Sequence, residues 1–338
     1  MIAASNFLDY YPNVVQIIDD YLKSMTVDFV RDHFIELLHY STKGGKMFRG
    51  ILAASTYCEL LDIPPDSKEA YPGYILGWAL EVLQGAYLVA DDLMDRSETR
   101  RGQTCWYLKP NVGNSAVNDV LIMENLAIIL VESLGEKYLP LTVVDSIVSA
   151  FRKINVLTTM GQSFDYKCKS YSFDCYKVIV ENKTAYYTII IPFLVGCIAS
   201  QKVPTELSKS DEFLNYLKRV GFYFQAQDDW LDVYGDVSVT GKIGTDISDG
   251  KVTWLACTAL DHANEEQRNE ILGNIGKSEK ESQEKVKLLY DQIGIQKLYS
   301  EFVEKENSYF VEELSKLDER LPKKTIKALL DKLIKRKA

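Results

Sequence analysis

The segment GYILGWALEVLQGAYLVADDLMD, residues 73 to 95, is a long apolar stretch that ends in the aspartates Asp91, Asp92 and Asp95. Its apolar residues recur at spacings of three and four, which is the periodicity of an α-helix. On such a helix Asp91 and Asp95 share one face, where like charges cost roughly 0.2 to 0.5 kcal/mol per pair. They also fall at the C-terminal end, where the helix dipole disfavours negative charge. A bound cation would remove both penalties, so the segment predicts a helix whose end binds metal.

The same pattern recurs once, in the segment FYFQAQDDWLD at residues 222 to 232. This second apolar helix ends in Asp228, Asp229 and Asp232. A single DDxxD motif is most simply a solvated helix end. Two copies, each after an apolar helix, are more typical of acids that line the mouth of a cavity. Carboxylate oxygens are preferred ligands of hard divalent ions such as Mg²⁺, so we expect the two motifs to bind Mg²⁺.

The rest of the chain also has helical periodicity, which predicts an all-α protein. Glycine and proline breaks at 44 to 45, 64 to 65 and 321 to 322 separate the predicted helices, but none is a long polar linker. We therefore expect one large helical domain over residues 1–338, although a length of 338 residues alone would also allow two domains.

Composition restricts the kinds of partner. A net charge of −9 argues against general binding to nucleic acid or anionic membranes. The longest apolar run, residues 188 to 199, is shorter than the roughly 20 residues that a membrane-spanning helix needs. No leader is evident at the N-terminus, and six cysteines without a CxxC pair fit a reducing compartment. We expect a cytoplasmic protein without a transmembrane segment, or an organellar one if a leader has been removed. We expect its cysteines to be structural and its histidines to be structural or solvated.

Basic residues accompany both acidic motifs. Each one alone is most simply a surface charge, but together they indicate that metal ions hold one diphosphate while lysine and arginine hold a second. Adjacent glycines in GGKMFRG, residues 44 to 50, can also expose backbone N–H groups to an anion. The basic residues are Lys46, Arg49, Arg100, Arg101, Lys183, Lys242 and Lys251.

With these motifs in the same order and spacing, the chain resembles the short-chain trans-isoprenyl diphosphate synthases, and among them the eukaryotic farnesyl diphosphate synthases. The resemblance extends over almost the whole chain. The most specific motifs are DDLMDRSETRRGQTCWY and the segment from the second DDxxD through VTGKIGTDI. The other matching segments are GGKMFRG (44 to 50), MGQSFD (160 to 165) and NKTAYYT (182 to 188).

The resemblance implies a helical bundle of the isoprenoid synthase type with a deep central cavity, usually in a homodimer. Asp91, Asp95 and Asp228 would ligate a cluster of about three Mg²⁺ ions, for which Mn²⁺ or Co²⁺ can substitute, and these ions would bind the allylic diphosphate. The other three aspartates, Asp92, Asp229 and Asp232, would be further ligands or would support the ligands from behind.

Two substrate sites follow from the same resemblance. Arg100, Lys183 and Lys242 would contact the allylic diphosphate, with Lys251 as a further substrate contact. Arg336 in the basic tail would close over the site of isopentenyl diphosphate. That second site would be free of metal and would consist of Gly45, Lys46, Arg49, Gln84 and Arg101.

The implied reaction is ionisation of the allylic diphosphate, attack by isopentenyl diphosphate on the carbocation, and loss of a proton. The negative charge of the leaving group needs electrostatic stabilisation, and water must be excluded from the cation. Thr184 and Gln225 would direct oxygens toward the cation, and Gln162 and Asp165 would support the metal site or serve a purely structural role.

The expected product is farnesyl diphosphate. The chain-length positions of the family correspond to Ala86 and Tyr87, where eukaryotic farnesyl synthases commonly have two bulky aromatic residues. Ala86 therefore leaves open a longer product, geranylgeranyl diphosphate, and geranyl diphosphate is a shorter alternative.

Two other functions are compatible with parts of the pattern. A terpene synthase derived from this family would ionise a prenyl diphosphate without isopentenyl diphosphate, but it would not need Lys46, Arg49, Gln84 and Arg101. A non-catalytic partner subunit would not need the six motif aspartates. Because both sets are complete, the prenyltransferase is favoured.

Overall fold

The computed structural model describes residues 1–236 and 244–336, and nearly all of the regular structure in these ranges is helical. The sequence prediction of an all-α fold is therefore confirmed. Within the described ranges the α-helices are α1 (Ala4–Leu8), α2 (Tyr11–Lys23), α3 (Asp28–Thr42), α4 (Phe48–Leu61), α5 (Tyr71–Asp95), α6 (Ala116–Glu132), α7 (Leu141–Lys167), α8 (Phe173–Ile179), α9 (Ile191–Ser200), α10 (Thr205–Ser208), α11 (Asp211–Tyr234), α12 (Asp246–Asp249), α13 (Trp254–His262), α14 (Glu265–Asn274), α15 (Lys280–Ile293), α16 (Ile295–Lys316) and α17 (Lys323–Ile334).

Shorter elements connect these helices. An eleven-residue π-helix, Val180–Ile190, lies between α8 and α9, and 3₁₀ turns occupy Lys68–Ala70, Trp106–Leu108 and Gly113–Ser115. A two-stranded antiparallel hairpin pairs β1 (Thr99–Arg100) with β2 (Gln103–Thr104). Segments of π-helix are rare and frequently mark functional sites.

The chain is organised as two compact units, each built from segments that are distant in sequence. The first comprises residues 1–153, 191–210 and 318–329, and the described part of the second comprises residues 154–190, 211–236, 244–317 and 330–336. The family resemblance predicts one synthase domain over the whole chain, and that stays a prediction.

Helix α5 is the core helix of the first unit. It is buried almost without interruption from Pro72 to Ala86, and it packs against α4 and α6. The approach to α4 is close because glycines face each other: a Cβ atom built on Gly77 would lie 2.5 Å from the carbonyl oxygen of Gly50. Burial on all sides explains why the segment is apolar all round, since a core helix has no polar face.

The second unit has its own aromatic core, in which α11 packs against the π-helix and α13. Trp230 stacks on Tyr299 with ring centroids 4.2 Å apart, and Tyr299 meets Trp254 edge to face. A Cβ atom built on Gly221 would lie 2.4 Å from the Cβ of Ala185, so glycine at 221 allows α11 to approach the π-helix. This packing holds the C-terminal half of α11, which carries the second acidic motif, in one position.

Three helical segments in the described ranges are long and apolar enough, by length and composition alone, to cross a membrane. They are Lys68–Asp95, Gly113–Glu132 and Phe173–Ser200, and within the protein 83%, 39% and 72% of their apolar windows are buried. The expectation of no membrane-spanning segment therefore stays a prediction.

Candidate active site

The first acidic motif forms the last turn of α5, as predicted, and its two adjacent aspartates have different surroundings. Asp91 and Asp95 are partly exposed, whereas Asp92 is buried. Burial raises the pKa of the Asp92 carboxyl, and hydrogen bonds from Arg100 oppose that increase. Asp91 and Asp95 are thus accessible to a ligand, while Asp92 is held inside the protein.

The hairpin after α5 orients Arg100 toward these acids. Arg100 Nε donates to Asp92 Oδ1 at 2.9 Å, and Nη2 donates to the same oxygen at 2.5 Å and to Asp91 Oδ2 at 3.3 Å. The hydrogen bonds and charges of these carboxylates raise the Arg100 pKa above its ordinary value despite burial. Arg100 is therefore the counter-ion of Asp92 and Asp91.

Arg101, one residue later, extends to a different place. It forms the hairpin turn with Gly102, with φ of 53° and 73° at the two residues, as a type I′ turn requires. Its Nη1 donates to the carbonyl oxygens of Lys43 at 2.8 Å and of Ser41 and Thr42 at 3.2 Å, at the end of α3. The two arginines therefore bind different groups of the protein, and their assignment to two diphosphates stays a prediction.

Arg101 lies against the glycine-containing loop before α4. A Cβ atom built on Gly45 would be 2.7 Å from Arg101 Nη2, so a side chain there would displace the guanidinium. Burial lowers the Arg101 pKa. The loop ends with Met47 in the left-handed region, at φ 49°, and α4 begins at Phe48 without a side-chain cap from its own chain segment. Lys46 beside it is exposed.

Glu81, which the sequence analysis did not select, supplies the missing cap of α4. Its Oε1 accepts from the backbone N–H of Gly50 at 2.8 Å, and its carboxylate is attracted by Arg49 and Arg101. Glu81 is 3% exposed, and burial raises its pKa. Glu81 is thus the shared counter-ion of Arg49 and Arg101. The sequence signal that could have identified Glu81 is its position as a lone acid in the apolar run. A fully buried carboxylate normally has a partner.

Gln84 lies one helical turn after Glu81 on α5. Its side chain is buried, and its Oε1 has no hydrogen-bond partner among the described residues. Buried polar atoms are nearly always hydrogen-bonded, so this amide is a group that a ligand or water would satisfy. Arg49 and Arg101 lie near Glu81, Gly45 lies against Arg101, and Gln84 adds a polar group on the same helix. That these residues form the metal-free site stays a prediction.

The chain-length positions have a tighter environment than the sequence suggests. Ala86 is completely buried, and Tyr87 is partly exposed. A Cβ atom built on neighbouring Gly85 would lie 2.7 Å from Met123 Cε of α6. The small residues at 85 and 86 thus allow close packing in the core of the first unit.

The second acidic motif lies near the C-terminal end of α11. Asp229 is buried and accepts three hydrogen bonds, from Gln225 Nε2 at 2.8 Å, Tyr176 Oη at 2.7 Å and the Trp254 N–H at 2.8 Å. Tyr176, itself fully buried, was not selected from the sequence. Asp229 is the structural member of this motif, in the same position within its triplet as Asp92.

The other two acids of the motif, Asp228 and Asp232, are more exposed to solvent than Asp229. Asp228 accepts a hydrogen bond from Arg336 Nη2, and Asp232 Oδ2 accepts from the Asp246 N–H at 2.9 Å, which joins α11 to the start of α12. Arg336 was expected at the isopentenyl diphosphate site; here it is the partner of Asp228, and its predicted role there is untested.

The π-helix positions two predicted catalytic residues. Lys183 Nζ donates to buried Asp165 Oδ2 at 2.5 Å, and Thr184 Oγ1 donates to Gln225 Oε1 at 2.7 Å. Thr184, Gln225 and Asp229 thus form one hydrogen-bonded chain, in which Asp229 fixes the Gln225 amide and Gln225 fixes the Thr184 hydroxyl. Asp165 is the present counter-ion of Lys183.

The remaining predicted residues are only partly described. Lys242 lies outside the described residues. Lys251 is partly buried, and its backbone N–H donates to the Asp246 carbonyl at 3.0 Å. Gln162 is partly buried on α7. The histidines have structural partners: His33 Nε2 contacts Asp119 at 2.8 Å, and His39 Nδ1 contacts the Tyr11 hydroxyl at 2.8 Å.

The donor set fits a hard divalent cation. Each motif has accessible carboxylates, Asp91 and Asp95 in one and Asp228 in the other, next to a buried aspartate already held by protein donors. Within residues 1–236 and 244–336, no three acidic, histidine or cysteine groups form a preassembled metal site. Mg²⁺ keeps several waters or substrate oxygens in its shell, so few protein ligands are needed at each ion.

We expect Asp229 to make stability depend on pH. Burial raises its pKa from 3.8 to about 7, so the folded protein binds a proton more tightly than the unfolded chain does. This contribution is fully present below about pH 4 and is lost as pH rises to about 7, by about 2 to 4 kcal/mol. Asp229→Asn cannot ionise at this position, so its free energy of unfolding should decrease less than that of the parent protein as pH rises from about 4 to 7. The measurement is made in buffer that contains a chelator. Identical pH profiles for the variant and the parent would contradict the assignment.

Comparisons with known proteins found relatives over nearly the whole chain. A family model described as polyprenyl synthetase matches residues 31–293. The chain is 34% identical to farnesyl pyrophosphate synthase of Schizosaccharomyces pombe, over 98% of this chain and 97% of that protein. It is 37% identical to farnesyl pyrophosphate synthase 2 of Arabidopsis thaliana, over 96% and 95%. Among solved structures, farnesyl diphosphate synthase of T. brucei in complex with risedronate superimposes with a TM-score of 0.87 at 27% identity, covering 98% of this chain and 99% of that one.

Proposed function

The chain belongs to the polyprenyl synthetase family, and from that premise we propose that it condenses isopentenyl diphosphate with dimethylallyl and geranyl diphosphate to give farnesyl diphosphate. It is a transferase of the prenyl-transferring class. The observation that carries the proposal is the divergence of Arg100 and Arg101: one guanidinium binds the acidic motif, and the other joins Gly45 and Glu81 at a second, metal-free cluster.

In the proposed reaction the allylic diphosphate binds at the acidic motifs. Bound Mg²⁺, about three ions per site, would supply Lewis-acid stabilisation of the leaving diphosphate. Arg100 and Lys183 are the described cations that would share this charge, and both would exchange a carboxylate partner for a diphosphate oxygen. Such preorganised cations stabilise charge that develops as the C–O bond breaks. Lys242 would add a third cation.

The chain's own groups would also protect the carbocation. The Thr184 hydroxyl and the Gln225 carbonyl oxygen are fixed by hydrogen bonds, so their lone pairs would face the cation without reorganisation. Isopentenyl diphosphate would be held by Arg49, Gln84 and Arg101, which positions its double bond for attack. The proton lost after condensation would leave with the diphosphate, so no side-chain base is assigned.

The experiment that tests the function is product analysis with and without the second substrate. Purified protein is incubated with Mg²⁺ and geranyl diphosphate, alone and with isopentenyl diphosphate. We expect farnesyl diphosphate only when both substrates are present. Hydrocarbon or alcohol products without isopentenyl diphosphate, and no elongation with it, would identify a terpene synthase instead. A second variant, Arg101→Leu, tests the site of isopentenyl diphosphate. It should reduce elongation by raising the KM for isopentenyl diphosphate.

Product length depends on the chain-length positions, and Ala86→Phe tests them. If Ala86 lies against the growing alkyl chain, a phenyl ring should shorten the product and shift the geranyl-to-farnesyl ratio at least about tenfold, the range that one pocket contact provides. Products from dimethylallyl, geranyl and farnesyl diphosphate are measured by chromatography. Tyr87→Phe keeps the adjacent ring and should leave the ratio unchanged. An unchanged ratio in Ala86→Phe would place the determinant elsewhere.

A homodimer is the proposed assembly. Support comes from α6 and the start of α7, where Val117, Leu121 and Leu141 are each more than half exposed. Val117 and Leu121 are four residues apart and share one helix face, and exposed apolar faces of this kind commonly bind another chain. Sedimentation at micromolar concentration should give the mass of two chains, and a monomer mass would contradict this assembly.

We further propose a cytoplasmic location.

A further inference from the structure

Asp119, a buried acid on the first turn of α6, connects two other segments of the first unit. It is 3% exposed, and its two carboxylate oxygens accept from different residues. Oδ2 accepts from Trp106 Nε1 at 2.7 Å, and Oδ1 accepts from His33 Nε2 on α3 at 2.8 Å. Because a carboxylate only accepts hydrogen bonds, both ring nitrogens are donors here. Asp119 therefore joins α3, α6 and the 3₁₀ turn Trp106–Leu108 through one carboxylate.

Trp106 lies two residues after the β1–β2 hairpin. Strand β2 ends at Thr104, and the Cys105 N–H closes the hairpin by donating to the Glu98 carbonyl oxygen at 2.9 Å. Trp106 is 3% exposed, and the centroid of its ring lies 5.7 Å from that of His33. Because so few residues separate the indole from β2, the position of the indole determines where this end of the hairpin lies.

One face of α3 makes two further contacts with the same part of the chain. Glu36 and Tyr40 follow His33 at spacings of three and four residues, so the three side chains share this face. The Tyr40 hydroxyl donates to the Thr104 carbonyl oxygen at 2.5 Å. Glu36 forms an ion pair with Lys109, which comes just after the 3₁₀ turn. The end of the hairpin and the turn that follows it are thus attached to α3 at several points.

The two arginines of the hairpin depend on this attachment to different extents. Arg100 is held independently by Asp92 and Asp91 of α5. Arg101 donates to backbone carbonyl oxygens at the C-terminal end of α3, the helix to which the hairpin is attached. A change in the position of the hairpin relative to α3 would therefore alter the hydrogen bonds of Arg101 more than those of Arg100.

We propose that Asp119 is a positioning residue for the second substrate. By fixing Trp106 and His33, it holds the hairpin in the place where Arg101 can bind the diphosphate of isopentenyl diphosphate. This inference rests on the proposed function of Arg101. Asp119 is buried and acts through Trp106, so it has no contact with the substrate.

Steady-state kinetics of Asp119→Asn separate positioning from stability. The amide has one acceptor oxygen where the carboxylate has two, so it cannot hold Trp106 and His33 in the same way. The KM for isopentenyl diphosphate should rise about tenfold, within the roughly 100-fold that a misplacement of about 1 Å can cause. The KM for geranyl diphosphate should stay within about twofold, because Arg100 keeps its own partners on α5.

Glu306→Gln is the matched control. Glu306 is also a buried acid, 6% exposed, and it accepts hydrogen bonds from Arg219 at 2.7 and 2.9 Å in the second unit. Its loss should lower stability without altering either KM. An equal rise of both KM values in Asp119→Asn, or no rise in either, would overturn the proposal. If Asp119→Asn does not fold, Trp106→Phe decides, because it removes the indole donor, keeps an aromatic ring and should raise the same KM selectively.

The attachment of the hairpin is also measured without turnover. Hydrogen–deuterium exchange of the full chain should be faster over residues 98–107 in Asp119→Asn and in Trp106→Phe than in the parent protein. Glu306→Gln should show the parent's exchange over these residues. Unchanged exchange in both hairpin variants would contradict the role of Asp119. If the parent protein makes no farnesyl diphosphate, the proposed function fails, whereas faster exchange in the variants would still show that Asp119 fixes the hairpin.

Discussion

Asp228→Asn is expected to lower kcat by about 10³-fold, because it removes one of the accessible carboxylates that would bind the metal while leaving the hydrogen-bonded core of the second unit intact. Asp228 is partly exposed and its described partner is Arg336 at the end of the chain, so its loss should not unfold α11. Steady-state kinetics at varied Mg²⁺ would show a lower kcat together with a higher half-saturating Mg²⁺ concentration.

The matched control for this variant is Asp261→Asn, an equally conservative change of an exposed aspartate on α13. It should leave kcat within about twofold, as expected for a surface substitution remote from the site. Both variants should melt within a few degrees of the parent protein. If Asp228→Asn kept full turnover at low Mg²⁺, the assignment of this residue as a metal ligand would be wrong.

Arg100→Met is expected to destabilise the fold by about 3 kcal/mol, because Asp92 would lose its counter-ion while it remained buried. The side chain of Asp92 is 5% exposed and that of Arg100 is 30% exposed, so solvent could rescue only part of the loss. Urea denaturation at about pH 7 measures the change. The loss should be smaller at about pH 5, since removal of Arg100 raises the Asp92 pKa further and a protonated carboxyl is less costly to bury.

A double variant separates the loss of the ion pair from the loss of packing. Asp92→Asn in the Arg100→Met background removes the buried charge and should recover about half of the lost stability. Arg320→Met is the control, because Arg320 pairs with Asp318 on the surface and such pairs contribute about 0 to 1 kcal/mol. No recovery in the double variant would mean that Arg100 acts through packing of its aliphatic stem instead of its charge.

The sequence was sufficient to predict the all-α fold and that both acidic motifs lie at the ends of helices. The burial of Asp92 could also have been deduced, because it continues the helical face of Gly85 and Val89, which are both buried. What periodicity could not provide is the separation of Arg100 from Arg101. That separation depends on a turn in which a non-glycine residue, Arg101, adopts a positive φ, and such a residue gives no local signal of it.

The π-helix was also beyond prediction from periodicity. The run from Val180 to Ile190 reads as a continuous apolar α-helix, but its turns are wider, which changes the direction of every side chain in it. The orientation of Thr184 toward Gln225 depends on that change and on the packing of Ala185 against Gly221. These are tertiary contacts between distant segments, and a single sequence does not encode them in any local pattern.

The contact between Gly50 and Gly77 has a consequence for substrate selection. These residues have no side chains between them, so the backbones of α4 and α5 touch, and Arg49 on one helix lies at a fixed spacing from Glu81 and Gln84 on the other. Any larger residue at 50 or 77 would push the two helices apart and widen the gap that a bound diphosphate would bridge. We therefore expect the affinity for the second substrate to depend partly on two glycines that would not contact it.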